Sequence, residues 1–163
     1  MKNYSFHLLL CMAVFLVISI SCQHENDTFN IEAEKLLVEK AIRNSIGWAK
    51  NKDIELLYSV IANDTNYIEV DPRDRVVKGF QEFKKAEEFW MSPDFKAIRY
   101  EIKDLKINLS KSGDVAWFFC MLDDINEWKG QPASWENTRW TGVLEKRDNN
   151  WIIVQMHFSF ASS

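Results

Sequence analysis

The sequence predicts an α+β domain in which N-terminal helices pack on a bent antiparallel sheet. Three observations carry that expectation. Apolar residues recur at helical spacing between Ile31 and Trp90, interrupted by one short extended hairpin. From Phe95 onward they alternate or run continuously, as strands do. The alternation also changes phase within one long run, from Ile98, Tyr100 and Ile102 to Leu105, Ile107 and Leu109. A strand does that only at a bulge or sharp bend, here near Lys103-Asp104.

The first residues stand apart from this pattern. Lys2 precedes an apolar stretch from Phe6 to Ile20, and Ser21 leads into Cys22. The stretch is too short to span a bilayer as a mature helix, and its positive start and small-residue end read as a secretory signal. A cysteine directly after Ser21 predicts cleavage before Cys22 and lipid attachment there, and the segment resembles a bacterial lipoprotein signal. The plainer alternative is an ordinary signal peptide with an incidental cysteine. The expected division is a signal at 1–21, a polar tether at 22–29 and one domain at 30–163. The implied location is the bacterial cell envelope, lipid-anchored, or else a secreted or periplasmic soluble form. Of three cysteines, Cys11 would leave with the signal and Cys22 would carry lipid. Cys120, alone inside VAWFFCML, is expected in the core without a disulfide partner.

The domain opens with Asn30 as a helix cap, Glu32 and Glu34 in the first turn, and a stripe of Ile31, Val38, Ile42, Ser45 and Ala49 with Trp48 at its edge. Asp53 caps a second short helix whose face is Ile54, Leu57, Tyr58 and Ile61. Tyr67–Val70 reads as a strand stopped by Asp71-Pro72, and Arg75–Val77 pairs back against it. Gly79 precedes a third helix, FQEFKKAEEFW, which Pro93 ends. After the long bent strand, Ser112-Gly113-Asp114 turns into VAWFFCMLDD, whose continuous apolar run implies cover on both faces. Gly130-Gln131-Pro132 belongs to a loop. The last hairpin, RWTGVLEKRDNNWIIVQMHFSF, is expected to close through a three-residue loop, Asp148-Asn149-Asn150. That register sets Trp140 against Phe158, Gly142 against Met156 and Leu144 against Val154 on one apolar face. Arg139 beside Ser159, Thr141 beside His157 and Val143 beside Gln155 then share the other.

Helices followed by a long, bent sheet resemble the nuclear transport factor 2-like fold, a cone in which a curved sheet wraps a helix. The RWTG…MHFSF segment is similar to the signature of its SnoaL-like branch, and also to the end of the calcium/calmodulin-dependent kinase II association domain. The resemblance covers roughly Ile31 to Phe160. It implies relatives as different as isomerases, cyclases, dehydratases and non-catalytic assembly hubs, so the fold alone does not assign a chemistry. It also implies an aspartate in an apolar cone and a sheet whose outer face forms a homodimer.

Candidate residues follow from the pattern. Asp123 and Asp124 are either a general base with its modulator or charges that end an apolar strand at the solvent rim. Adjacent strand residues face opposite ways, so one of them points to the helices. Arg139 and His157 share a polar stripe suited to ligand contact, proton transfer or a subunit interface. Trp48, Phe80, Phe83, Trp90 and Trp140 are candidates for a ligand pocket and, equally, for plain core. His7 and His24 precede the domain, leaving His157, so no metal site is expected. No Gly-rich phosphate loop or G-x-S-x-G elbow occurs, and no cofactor is expected. With a net charge of −4 and no Lys/Arg block, nucleic acid is not an expected partner. The function these readings favour is binding of a small, largely apolar molecule in the cone. The alternatives are a non-catalytic dimerisation module, or a cofactor-free isomerase, cyclase or dehydratase with an Asp base. The only membrane contact expected is the lipid anchor.

Overall fold

The side chain of Asn30 accepts hydrogen bonds from the backbone N–H groups of Glu32 and Ala33, and so starts helix α1 (Ile31–Gly47) where its sequence signal lies. Asp53 does the same for α2 (Ile54–Tyr58), accepting from the Leu56 N–H at 3.1 Å. The computed structural model describes residues 30–161. The expected signal and tether, with Cys22, His7 and His24, lie outside those residues. Along α1 the stripe of Val38, Ala41, Ile42 and Ser45 is buried, whereas Ile31 is half exposed. Trp48, expected at the stripe's edge, is buried in the turn that follows.

Strands β1 (Ile68–Val70) and β2 (Val76–Lys78) form the expected short hairpin. Gly79, at φ +81°, then turns the chain into helix. The single third helix expected from FQEFKKAEEFW is divided. It consists of α3 (Phe80–Phe83), a tighter 3-10 turn at Lys84–Ala86, and α4 (Glu87–Met91). The tighter turn changes the angular phase of the second half. Phe83 and Trp90 still meet, with ring centroids 5.0 Å apart, and Phe89 stacks on Trp128 at 4.6 Å. Lys52, at φ +54°, donates from its ammonium to the Trp90 carbonyl at 3.1 Å and to the Ser92 carbonyl. Those carbonyls end α4, so one lysine ties the end of that helix to the α1–α2 turn.

Four strands make most of the sheet: β3 (Phe95–Leu109), β4 (Val115–Trp128), β6 (Trp135–Arg147) and β7 (Asn150–Ser159), with the two-residue β5 (Gln131–Pro132) pairing with the end of β4. The segment around Gly130, expected as plain loop, therefore adds a small strand. The order is β2-β1-β7-β6-β4-β3, and the sheet is curved and unclosed. Neighbours are antiparallel except β1 and β7, which run parallel. The expected bulge in β3 is present, as a register shift between Lys103 and Lys106 with Asp104 at φ +54°. A second shift between Ala97 and Arg99 adds to the bend.

The final hairpin keeps the expected pairs from Arg139↔Ser159 to Val143↔Gln155 but corrects its loop. Arg147 pairs with Asn150, so two residues turn the chain, Asp148 (φ +49°) and Asn149 (φ +63°). Two successive left-handed residues give the tight turn whose twist suits flanking strands. The surplus residue sits instead at Val154, since Leu144 pairs with Ile153 and Val143 with Gln155. That bulge lets Trp151 and Ile153 before it, and Met156 and Phe158 after it, all face inward.

The concave side of the sheet carries the core. On β4, Ala116, Phe118, Cys120 and Leu122 are buried against the helices. Their neighbours Trp117 and Phe119 are 46% and 37% exposed on the convex side, so the described chain covers one face of the VAWFFCML run and leaves the other open. Phe118 lies across β6 where Gly142 leaves room: a Cβ there would stand 2.5 Å from its ring. At one end of the cone, Glu34 of α1 accepts from Lys146 Nζ at 2.7 Å and from Trp151 Nε1 at 2.8 Å. Arg147 binds Asp64 at 2.6 Å and Glu145 at 2.8 Å. These bonds fasten α1 and the loop before β1 to the β6–β7 turn. The C-terminal end of α1 lines the cavity described next.

Candidate functional site

A cavity of about 850 Å³ opens between the end of α1, the divided helix and the concave sheet. Its walls are mainly aromatic and aliphatic. Trp48, Phe83 and Trp90 form one side, with Trp48 and Trp90 edge to face at 5.6 Å, and Trp135, Met156 and Phe158 form the floor. Of the five aromatic pocket candidates, Phe80 and Trp140 lie behind these walls, in the buried core. Trp140 stacks on Phe158 at 5.4 Å and so backs the floor rather than forming it.

Strand alternation separates the four acid–base candidates. Asp124 follows Leu122 on the concave side and lines the cavity. Asp123 points to the convex side, pairs with Lys103 at 2.6 Å and accepts from the Asn137 N–H at 2.8 Å. Those bonds hold its carboxyl below the usual carboxylate range. Arg139 and His157 are exposed on the same convex side, where the Arg139 guanidinium donates to the Phe160 carbonyl. Asp123, Arg139 and His157 therefore stay outside the cone, because each occupies the strand parity opposite to the buried residues beside it.

Two polar residues of the cavity escape a reading of the sequence. Asn126 shares its strand face with Asp124, is 7% exposed, and donates from Nδ2 to Asp124 Oδ2 at 2.8 Å. Its Oδ1 is buried and has no hydrogen-bond partner. Glu69, also 7% exposed, accepts from the Tyr67 O–H at 2.8 Å. In a three-residue strand Glu69 looks like a solvent-facing charge. Its inward position follows from parallel pairing with β7, which sets it beside Met156. One signal was present: Tyr67, Glu69 and Asp71 share a face at period two, and the large Tyr67 belongs inside.

Burial sets the electrostatics. It pushes the Asp124 carboxyl up to about 6, against the opposing pull of the Asn126 amide. Glu69 is raised in the same direction, first by burial and further by the neighbouring Asp71 carboxylate, while the Tyr67 hydroxyl and Arg75 act against the shift. At the cavity mouth Arg75 stands 3.4 Å from Asp71. A carboxyl with raised proton affinity in an apolar wall can hold a cationic or hydroxylated group, or exchange a proton with it. Among the described residues no cluster of three or more His, Cys, Asp or Glu side chains is arranged to hold a metal ion.

No curated protein matches the chain significantly by sequence. Solved structures do match its fold. A candidate dehydratase of the nuclear transport factor 2-like family from Streptomyces avermitilis superposes with a TM-score of 0.70 at 17% identity, covering 82% of this chain and all of that one (100%). A candidate calcium/calmodulin-dependent kinase II association domain from Exiguobacterium sibiricum gives 0.65 at 9% identity over 80% of this chain and 96% of its own. A nuclear transport factor 2-like protein from Cytophaga hutchinsonii gives 0.63 at 12% over 78% and 98%. At these identities the likeness is one of fold. The family model of the SnoaL-like domain matches residues 38–163, from the buried half of α1 through the last strand, and the chain belongs to that family.

Proposed function

We propose that the cavity binds a small, largely apolar molecule and that Asp124 anchors its polar group. The observation that carries this reading is one carboxyl with a partnered amide, Asp124 with Asn126, set among Trp48, Phe83, Trp90, Trp135 and Phe158. Ligand sites have this composition: apolar walls for affinity and a few placed polar groups for orientation. A stable fold gains nothing from a half-buried carboxyl in such a wall, and burial makes it costly. The test follows the indole N–H resonances of Trp48 and Trp90 during titration with 2-naphthylmethanol. Both should shift saturably, and Ala49→Phe, which fills part of the cavity, should abolish the shift while leaving a cooperative thermal melt. Absence of saturable shifts in the unmodified protein refutes the reading.

A second reading concerns the convex face, and the exposed Trp117 and Phe119 support it. Large aromatic side chains beside Thr141, Val143 and Gln155 suit a self-complementary interface between two copies. Trp117→Asp should turn a dimer into a monomer in sedimentation velocity, whereas a monomeric unmodified protein at tens of micromolar contradicts this assignment. Lipid anchoring in the cell envelope through Cys22 completes the proposal. Cys22→Ser should abolish metabolic lipid labelling, and persistent labelling overturns it.

A further inference from the structure

The hydrogen-bonding character of the cavity is lopsided, and that lopsidedness bears on the ligand. The Ser45 hydroxyl donates to the Ile42 carbonyl at 2.8 Å, and the Ser134 hydroxyl donates to the Asn126 carbonyl at 3.2 Å. The Tyr67 O–H is held by Glu69 and the Asn126 Nδ2 by Asp124. Apart from the indole N–H groups of its tryptophans, the side chains facing inward are left with acceptors. These are the Asp124 carboxylate and the unpartnered Asn126 Oδ1, which belongs to a residue 7% exposed, while the Glu69 carboxyl is turned to Tyr67 and Asp71. A buried acceptor without a donor is costly, and a ligand donor removes that cost.

Charge points the same way. Asp124 on β4, with Glu69 and Asp71 at the end of β1, are the acidic groups that line the interior. Their basic counterparts are Arg73, Arg75 and Lys85, all exposed at the mouth, where Asp74 also lies. Arg75 is turned to Asp71. Solvent and salt screen the mouth charges far more than the buried ones. An anionic ligand would therefore add negative charge beside Asp124 and Glu69, with Asp71 already engaged by Arg75, in a largely apolar cavity. A cation relieves them, and tryptophans in the wall, Trp48 and Trp90, are side chains that favour one as well.

Building on the reading of this cavity as a ligand site, we propose that its ligand is an apolar amine. It binds as its ammonium ion, donating to Asp124 and to Asn126 Oδ1, with Glu69 as the second negative group of the enclosure. Binding an ammonium ion holds Asp124 ionised, so below about pH 6 the complex forms with release of the proton that the empty site keeps. An aliphatic amine stays protonated across the pH range in which Asp124 titrates.

Calorimetric titration of the intact protein with 2-naphthylmethylamine, 2-naphthylmethanol and 2-naphthoate tests this with one ring and three polar ends. At pH 8 the amine should bind about tenfold or more tightly than the alcohol, as a charge-assisted bond to a buried carboxylate requires. The naphthoate should bind weakest. Between pH 8 and pH 5 the affinity for the amine should fall about tenfold or more, because a carboxyl titrating near 6 is about one-tenth ionised at pH 5 and Glu69, pushed up to about 7 by burial, loses its charge over the same range. Asp124→Asn should remove the advantage of the amine, bringing its affinity to within about threefold of that of the alcohol for the same variant. Equal affinities for amine and alcohol overturn the amine assignment and leave the cavity reading intact. Failure of all three probes overturns both. Tight amine binding that survives Asp124→Asn and Ala49→Phe places the amine elsewhere on the protein and overturns the assignment too.

Discussion

Replacing Asp124 by asparagine should stabilise the protein at neutral pH by an amount that disappears in acid. In the folded chain burial raises this carboxyl to about 6, compared with about 3.9 for an aspartate in an unfolded chain. A group whose folded-state pKa is raised holds its proton more tightly in the native state. Its contribution to stability is then fully present below about pH 3.9 and is lost as pH rises through about 6. A difference of about two pKa units corresponds to about 3 kcal/mol, and access of solvent through the cavity reduces this to roughly 2–3 kcal/mol. Asparagine has no proton to lose, fills the same volume, and still presents an oxygen to Asn126 Nδ2. The stability difference between variant and original should therefore grow by roughly 2–3 kcal/mol between pH 3.5 and pH 8. In a domain of this size that is a rise in Tm of roughly 5–10 °C at the alkaline end. Glu34 and Asp64, held below the usual range by hydrogen bonds from Lys146 and Arg147, and Glu69, raised by burial, are common to both proteins, so their own titrations cancel in the difference. Urea unfolding followed by circular dichroism at half-unit pH steps measures it. A difference that is flat from pH 4 to pH 8, or a variant less stable at pH 8, refutes the assignment of Asp124 to a desolvated wall.

Other consequences are more local. Gly142→Ala should cost about 1–3 kcal/mol, because the added Cβ meets the Phe118 ring at 2.5 Å and the Gln155 carbonyl oxygen at 2.8 Å, and the backbone cannot yield; a variant with an unchanged urea midpoint contradicts this packing. Cys120 is fully buried and burial pushes its thiol up to about 12, so iodoacetamide should label it only at the rate of global unfolding. Labelling that outpaces unfolding would show a route to the thiol that the structure lacks. Asp123→Asn removes the bond to Lys103 on the convex side and should leave 2-naphthylmethanol affinity unchanged. Loss of that affinity would reverse the inward and outward assignment of the two aspartates.

Much of the framework was legible because it rests on interactions between residues near one another in sequence. The Asn30 and Asp53 caps, the Gly79 turn and the β3 bulge at Lys103-Asp104 each depend on a few adjacent residues whose chemistry admits little else. The pairs from Arg139↔Ser159 to Val143↔Gln155 followed from keeping one face apolar. The hairpin loop did not, because a tight two-residue turn with a bulge at Val154 conserves that face as well as a wider loop does. Local conformational preference decided between them.

What the sequence by itself determined, then, is the fold class, the inward set of each strand up to a choice of side, and the opposition of Asp123 to Asp124. Only the tertiary structure decided which side was which. Curvature of β3, β4 and β6 around α1 made the concave face the core and put Asp124 within the cone. The parallel pairing of β1 with β7 brought Glu69 beside Met156 across 87 positions of chain (156 − 69), a contact no local pattern encodes. The polar constellation of the cavity, Asp124 and Asn126 from β4 with Glu69 from β1, exists because long-range strand pairing converges on one enclosure. Periodicity assigns a residue to a face, and it takes the packing of distant elements to decide what that face encloses.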